Sequence, residues 1–598
     1  MLMFRFDERL DLINTALARE KADLVIKNGK IVNVNTGEIL TGLDIAIRGR
    51  RIALIGDTAN LIGEKTKIIN ARGYYLVPGL IDAHVHVESS MLTLTEFAKV
   101  VLPHGTTSIF IDPHEITNVL GLRAIKLFID EAKNLPLKVF IEIPSCVPSA
   151  PGIETPGAEI GPKEVEEGLK LEGVVGLAEM MNFPGVLLKE KGVIEKLKRA
   201  YRMRKVIEGH APLLTGADLN AYIASGISSD HESTTAEEAL EKLRLGMKLE
   251  IREGSTARNL SDIIKPLLEG KIDTRHCLLA TDDRHPRDLI EEGHMDYVVR
   301  KAIKMGLDPV KAIQMATINV AEHFNVDLEI GSISPGRIAD ILFVEDINEF
   351  SVEKVIANGR LVAEKGKILV KIPKFKYPEY ALKTINLRPI EAKDFRITCP
   401  EKEGAVVKVR VIGIIEGQAI TDHKIVKLRA INGLLRADVS RDILKIAVVE
   451  RHKATGNIGR GFVQGFGLKK GAIASSVAHD AHNIVVVGAD ERDMACAVNA
   501  LRESGGGQVV VINNKVIALL PLPIAGLMSE KSIEEVNREV LDLEVAAKET
   551  GVKINHPFMH LSFLSLPVIP KLKITDKGLF DVEKFSFVKL IVSDEKST

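Results

Sequence analysis

Eight short apolar runs alternate with helical patterns between residues 78 and 330, and most of them close on a polar residue able to do chemistry. The runs end at His84 to His86 (GLIDAHVH), His114 (TTSIFIDPH), Pro144 (LKVFIEIP), Glu179 (GVVGLAE), His210 (KVIEGH), His231 (GISSDH), Glu253 (MKLEIRE) and Asp282 (HCLLATD). Between them lie segments such as LGLRAIKLFIDEAKNL and TTAEEALEKLRLG, the latter with Thr235 and Glu238 at capping-box spacing. This rhythm predicts a (β/α)8 barrel over 78–330. That fold takes about 250 residues and keeps its catalytic groups at the C-terminal ends of its strands.

The flanking sequence divides around the barrel. Residues 1–21 read as an amphipathic helix, and 22–77 as short alternating strands with turn residues such as Asn28-Gly29. A matching strand block returns at 331–370, so a split β-sandwich domain is expected. Residues 371–395 form a basic, proline-containing linker, and 396–598 a C-terminal α/β domain. The whole is an α/β architecture. Lysine and arginine total 80 against 81 acidic residues, which excludes a nucleic-acid binder that works by electrostatics. The four cysteines form no C-x-x-C pair, which excludes cysteine-based zinc motifs. The N-terminus has no signal-peptide pattern, and the apolar stretch Val516 to Met528 is broken by Pro521, Pro523 and Gly526, too short to span a bilayer. A cytoplasmic enzyme with a small-molecule substrate is expected, without nucleic-acid or membrane partners. A homo-oligomer is expected because symmetric assemblies are common.

His84 and His86 stand two apart on the first strand, so both side chains face the barrel mouth. His210, His231 and Asp282 add ligands from strands five, six and eight, and Glu179 closes strand four. A lone histidine at a strand end is more often a satisfied core or surface residue. Six metal-competent residues at the ends of five strands are a different matter. They exceed what one metal needs and predict a binuclear site bridged by Glu179, able to activate water and polarise the bond under attack. Asp112, His114 and Glu115 sit at the mouth of strand two, where the simpler reading is a turn and a helix start. His479, Asp480, His482 and Asn483 either cap the active site or cap their own sheet. The glycine runs at Gly456–Gly461 and Gly505–Gly507 lack the lysine and serine of a P-loop.

VPGLIDAHVHVESS and GSISPGRIADILFV resemble the amidohydrolase superfamily. DPHEI, GLAEMMNFPGV, EGHAP, SSDHE, ATDDRHP and the distal RHKATGNIGRGFVQGFGLKKGAIASSVAHDAHNIVVVG resemble its adenine deaminase family in particular. The resemblance covers nearly the whole chain after residue 22. Relatives of the hydantoinase type place a carbamylated lysine where this chain has Glu179. Cytosine and guanine deaminases place H-x-x-E where His210 is followed by Ala211-Pro212-Leu213. His86-Val87-Glu88 is not followed by the P-C-x-x-C of the zinc nucleobase deaminases. The resemblance implies adenine deamination with two divalent metal ions, Mn2+ or Fe2+ ahead of Zn2+. Asp282 would then carry a proton from water to the leaving amine, and Glu115 would protonate a ring nitrogen. The alternatives are another hydrolase of a cyclic amide or amidine, or a non-catalytic scaffold.

Overall fold

The computed structural model describes residues 6–270, 272–401 and 403–592. Its contacts divide the chain into two units: Met1–Pro113, Ile125–Ser145 and Gly161–Phe375 form the first, and His114–Ala124, Cys146–Ile160 and Lys376–Thr598 the second. The described part of the N-terminal helix runs Phe6–Ala16; the first five residues of the predicted one lie outside the described residues.

The first unit carries eight parallel strands in barrel order. They are β1 (Leu80–His86), β2 (Thr106–Ile111), β3 (Lys138–Ile143), β4 (Val174–Met180), β5 (Val206–Gly209), β6 (Ser229–Asp230), β7 (Lys248–Arg252) and β8 (Cys277–Ala280). β5 to β1 pair consecutively, and β6 to β8 form a second ladder. The two ladders meet where Ser228 N–H donates to the Ile207 carbonyl, 2.9 Å away. Gly209 is required at this seam, since a Cβ there would sit 2.2 Å from the Ser229 carbonyl oxygen. At the other seam the chain leaves β8 at Thr281 and resumes pairing as Asp282–Asp283, beside Val85 and His86 of β1. Asp282 has φ +60°, a left-handed conformation that short polar side chains tolerate best. On β1, Ile81 and Ala83 alternate with Asp82, His84 and His86 and join a buried cluster with Phe110, Phe140, Leu278 and Phe324.

Strands from before and after the barrel share one sheet: Tyr75–Pro78 pairs antiparallel with Ile341–Val344. A second sheet joins Leu24–Lys27, Asp44–Arg48, Arg51–Gly56 and Lys67–Asn70. Ile26, Ile45, Ile52, Ile341, Phe343 and Ile356 fill the core between them.

The second unit is built on a mixed sheet that includes Val406–Ile414, Ile443–Val449, Ile484–Gly488 and Gly507–Ile512. The helix Glu491–Ser504 packs on it, capped by Asp490 at its start and by Gly505 (φ +80°) at its end. Gly505 therefore serves as a helix stop, which answers the phosphate-loop reading of that glycine run. The turn at Asn513-Asn514 has φ +53° and +59°, as a tight hairpin of this twist requires. Much of the segment expected to be a linker is packed instead. Residues from Lys376 onward belong to the second unit, and Ile390 and Phe395 are buried in its core, because their apolar side chains find a surface on the Glu491–Ser504 helix and its sheet. Among the described residues no helix is long and apolar enough to cross a membrane.

Lys573, on the strand Leu572–Thr575, is buried, and among the described residues its ammonium donates to two carbonyls, Ala419 at 2.7 Å and Phe563 at 3.0 Å. Burial pushes its ammonium down to about 7. Between that value and the ordinary lysine value, about 10.4, the unfolded chain binds more protons than the folded one, so stability rises with pH there. The slope contributed is at most about 1.4 kcal/mol per pH unit. Denaturant midpoints measured from pH 7 to 10 should rise less steeply in Lys573→Met than in the unmodified protein. Equal slopes would remove this lysine from the account.

Candidate metal centre

Strand phase brings the six expected residues together. Asp82, His84 and His86 share one face of β1 and are all buried. The Nε2 atoms of His84 and His86 lie 3.1 Å apart. The Nδ1 of His86 meets the Asp112 carbonyl at 2.8 Å; donating a proton there leaves Nε2 as the ligand atom. Glu179, one residue before the end of β4, faces both histidine groups. Its Oε2 lies 2.5 Å from His210 Nδ1 and 3.0 Å from His231 Nε2, and its Oε1 lies 3.9 Å from His86 Nε2. His210 and His231 are the residues immediately after β5 and β6. Asp282 Oδ1 lies 3.2 Å from His86 Nε2 and 3.8 Å from His84 Nε2. Ligand atoms of His84, His86 and Asp282 fall within 4.8 Å of one another, and so do those of His84, Glu179 and His231.

The charges suit a cation. Burial opposes ionisation of Glu179, but His210 and His231 outweigh it and hold the carboxyl well below its ordinary range. Asp282 is likewise held down against burial, by His86 and by Arg252. Burial, with His231 and His86 beside it, pushes His84 well below the usual imidazole value, so this ring favours a neutral form with a free lone pair. His210 goes the other way: burial lowers it, but Glu232 and Glu179 raise it to about 9. Imidazole nitrogens and anionic oxygens converging in this way fit a divalent metal such as manganese, iron or zinc.

Two site residues escaped the sequence reading. Arg252, the last residue of β7, donates to Asp282 Oδ2 at 2.8 Å, to Asn259 Oδ1 at 3.0 Å, and to both oxygens of Glu232. Glu232 in turn stands 3.7 Å from His210 Nδ1. The missed signal is the period of two along β7, which puts Glu250 and Arg252 on one face. Reading the run to Glu253 chose the opposite phase, and Glu253 instead pairs with Lys301 at 2.7 Å.

His114 and Glu115 are not on a strand. β2 stops at Ile111, and after Asp112-Pro113 the helix His114–Leu120 begins. Proline has no N–H for the ladder, and its fixed φ suits a helix start. Within the second unit, Glu115 Oε1 lies 2.6 Å from His479 Nδ1 and 3.3 Å from His114 Nε2, and its other oxygen meets His482 Nε2. Burial would raise Glu115, yet His479, His482 and His114 hold it well below its ordinary value. The sequence's two weaker signals, DPHEI and SSVAHDAH, thus meet at one carboxylate. Phe563 stacks on His479, and Arg451 binds the His482 carbonyl. Asp283 takes hydrogen bonds from Ser89 and Thr256, a supporting role.

Residues 75–362 match the Amidohydrolase family, and residues 418–586 match the Adenine deaminase C-terminal domain. A relative named adenine deaminase from Moorella thermoacetica is 49% identical over 583 residues, covering 97% of this chain and 98% of its own. Another from Mesorhizobium japonicum is 48% identical, covering 97% and 96%. A third from Clostridium botulinum is 46% identical, covering 98% and 97%. Likeness at this level from end to end, over both the barrel and the distal domain, places the chain: it belongs to the adenine deaminase family of amidohydrolases.

Proposed function

We propose that this chain deaminates adenine hydrolytically, releasing hypoxanthine and ammonia. The observation that carries the reading is the end-to-end likeness to adenine deaminases in a chain that gathers His84, His86, Glu179, His210, His231 and Asp282 around one buried centre. Those six residues would hold two divalent ions, manganese or ferrous iron ahead of zinc, with Glu179 between them. Bound there, the ions would supply the Lewis acidity that makes water a nucleophile near neutral pH.

The chain's own residues then move the protons. Water's oxygen bonds to C6 of the purine and the C6–N bond to the amine breaks. Asp282 accepts one proton from that water and passes it to the departing amine, completing ammonia. The second proton ends on a ring nitrogen. Glu115 is the proposed agent of that transfer, but a carboxyl held well below its ordinary range stays ionised and is a poor donor by itself. Its partner in this proposal is His479, whose Nδ1 stands 2.6 Å from its Oε1 and would supply the proton. His479 and His482 accordingly serve catalysis by orienting Glu115. The reading includes a cytoplasmic homo-oligomer without nucleic-acid or membrane partners, consistent with the near-balanced charge.

Ammonia release from adenine, guanine, cytosine, adenosine and hydantoins, measured on manganese-loaded and iron-loaded protein, tests the proposal. Adenine should be the substrate turned over. Release from another compound in preference, or from none, would overturn it in favour of a cyclic-amide hydrolase or a scaffold.

A further inference from the structure

Lys242 lies on the helix Ala236–Arg244, which follows β6, and it is fully buried. Its ammonium donates to Asp230 Oδ2 at 2.7 Å, Glu238 Oε1 at 2.8 Å, the Ala211 carbonyl at 2.8 Å and Ser233 Oγ at 3.1 Å. The two carboxylates are also fixed from the main chain. Asp230 Oδ1 accepts the Ala211 N–H at 2.8 Å. Glu238 accepts the Leu213 N–H at 2.8 Å and the Thr234 N–H at 3.1 Å. The capping box expected at Thr235 is therefore only half made: Thr235 receives the Glu238 N–H, while the Glu238 side chain is committed to this cluster.

The cluster grips two particular points. Ala211 follows His210 directly, and it is held at both its N–H and its carbonyl. Asp230 precedes His231 directly. A buried ion pair is weak evidence for stability, because apolar side chains of equal volume often serve as well or better. Apolar packing, however, has no direction, whereas five hydrogen bonds tie one lysine–aspartate–glutamate group to the main chain on either side: to the N–H and carbonyl of Ala211 and to the N–H groups of Leu213, Ser233 and Thr234. Tyr222 adds a second hold, accepting the His210 N–H at 3.0 Å and donating to the Met180 carbonyl at 2.9 Å.

We infer that Lys242, with Asp230 and Glu238, is a positioning group that locks His210 and His231 into one pair and so governs the metal position those two histidines build. The inference rests on the metal-centre reading above. The position built from His84, His86 and Asp282 is outside its reach.

The test is a titration of metal-stripped full-length protein with Mn2+, reading bound metal per chain alongside melting temperature. Lys242→Met should keep one manganese at the affinity of the unmodified protein and weaken the other by about 10–100-fold, the usual cost of losing an outer support of a metal ligand. Lys138→Met is the control. It breaks another buried lysine–aspartate pair of the same unit, Lys138–Asp340 at 2.9 Å, and should retain both ions. If Lys242→Met fails to fold, Asp230→Asn takes its place, since it keeps the shape and an acceptor for the Ala211 N–H but loosens the lysine. A folded variant that binds two ions normally, or loses both equally, would overturn the inference, as would equal metal loss in Lys138→Met. Failure of the unmodified protein to bind manganese would instead overturn the metal-centre reading itself.

Discussion

Asp282→Asn should leave a folded protein that retains most of its metal and has lost its turnover of adenine by a factor of about 10²–10⁴ or more. The backbone will tolerate the change, because asparagine accepts the left-handed conformation at φ +60° as readily as aspartate. The chemistry will not. Asp282 presents one oxygen toward His86 and His84 and the other to Arg252, 2.8 Å away. Both positions need an acceptor, and an amide has one. Whichever way it turns, it cannot take a proton from water and return it to the amine. Turnover, bound metal and melting temperature measured together separate this outcome from unfolding. A variant working within about tenfold of the unmodified protein would remove Asp282 from proton transfer.

Glu179→Gln should fail differently, by losing metal first. The carboxylate faces His210 and His231 through one oxygen and His86 through the other, and it is the anion those rings surround. Glutamine offers one oxygen and no charge, so it can serve one position but not bridge two. Metal per chain should fall from the proposed two toward one, with activity falling in step. Full occupancy with unchanged turnover would sink the bridging role. The two variants together make a sharp pattern: metal kept and chemistry lost at Asp282, metal and chemistry lost together at Glu179.

Much of this was written locally along the chain. The His84–His86 spacing fixes a shared face because strand side chains repeat every two residues. Glu179, His210, His231 and Asp282 were legible because a parallel barrel brings all its strand ends to one rim, so position along a run stands in for position in space. That logic has no purchase on contacts between residues far apart in sequence. Arg252 reaches Asp282 across 30 positions, and its role turned on a phase along β7 that a one-residue error reverses. Glu115 and His479 are 364 positions apart. Each motif was visible, but nothing in either said that they meet, because a carboxylate's partner is chosen by packing. Nothing in the sequence singles out Lys242 on its helix; only the folded chain, by closing the loops after β5 and β6 over it, turns that charge inward onto Asp230, Glu238 and the Ala211 carbonyl. The sequence determined which residues could bind a metal and roughly where, through periodicity and strand ends. Tertiary structure decided which of them are held, and by what, since burial and hydrogen-bond partners are properties of the assembled fold.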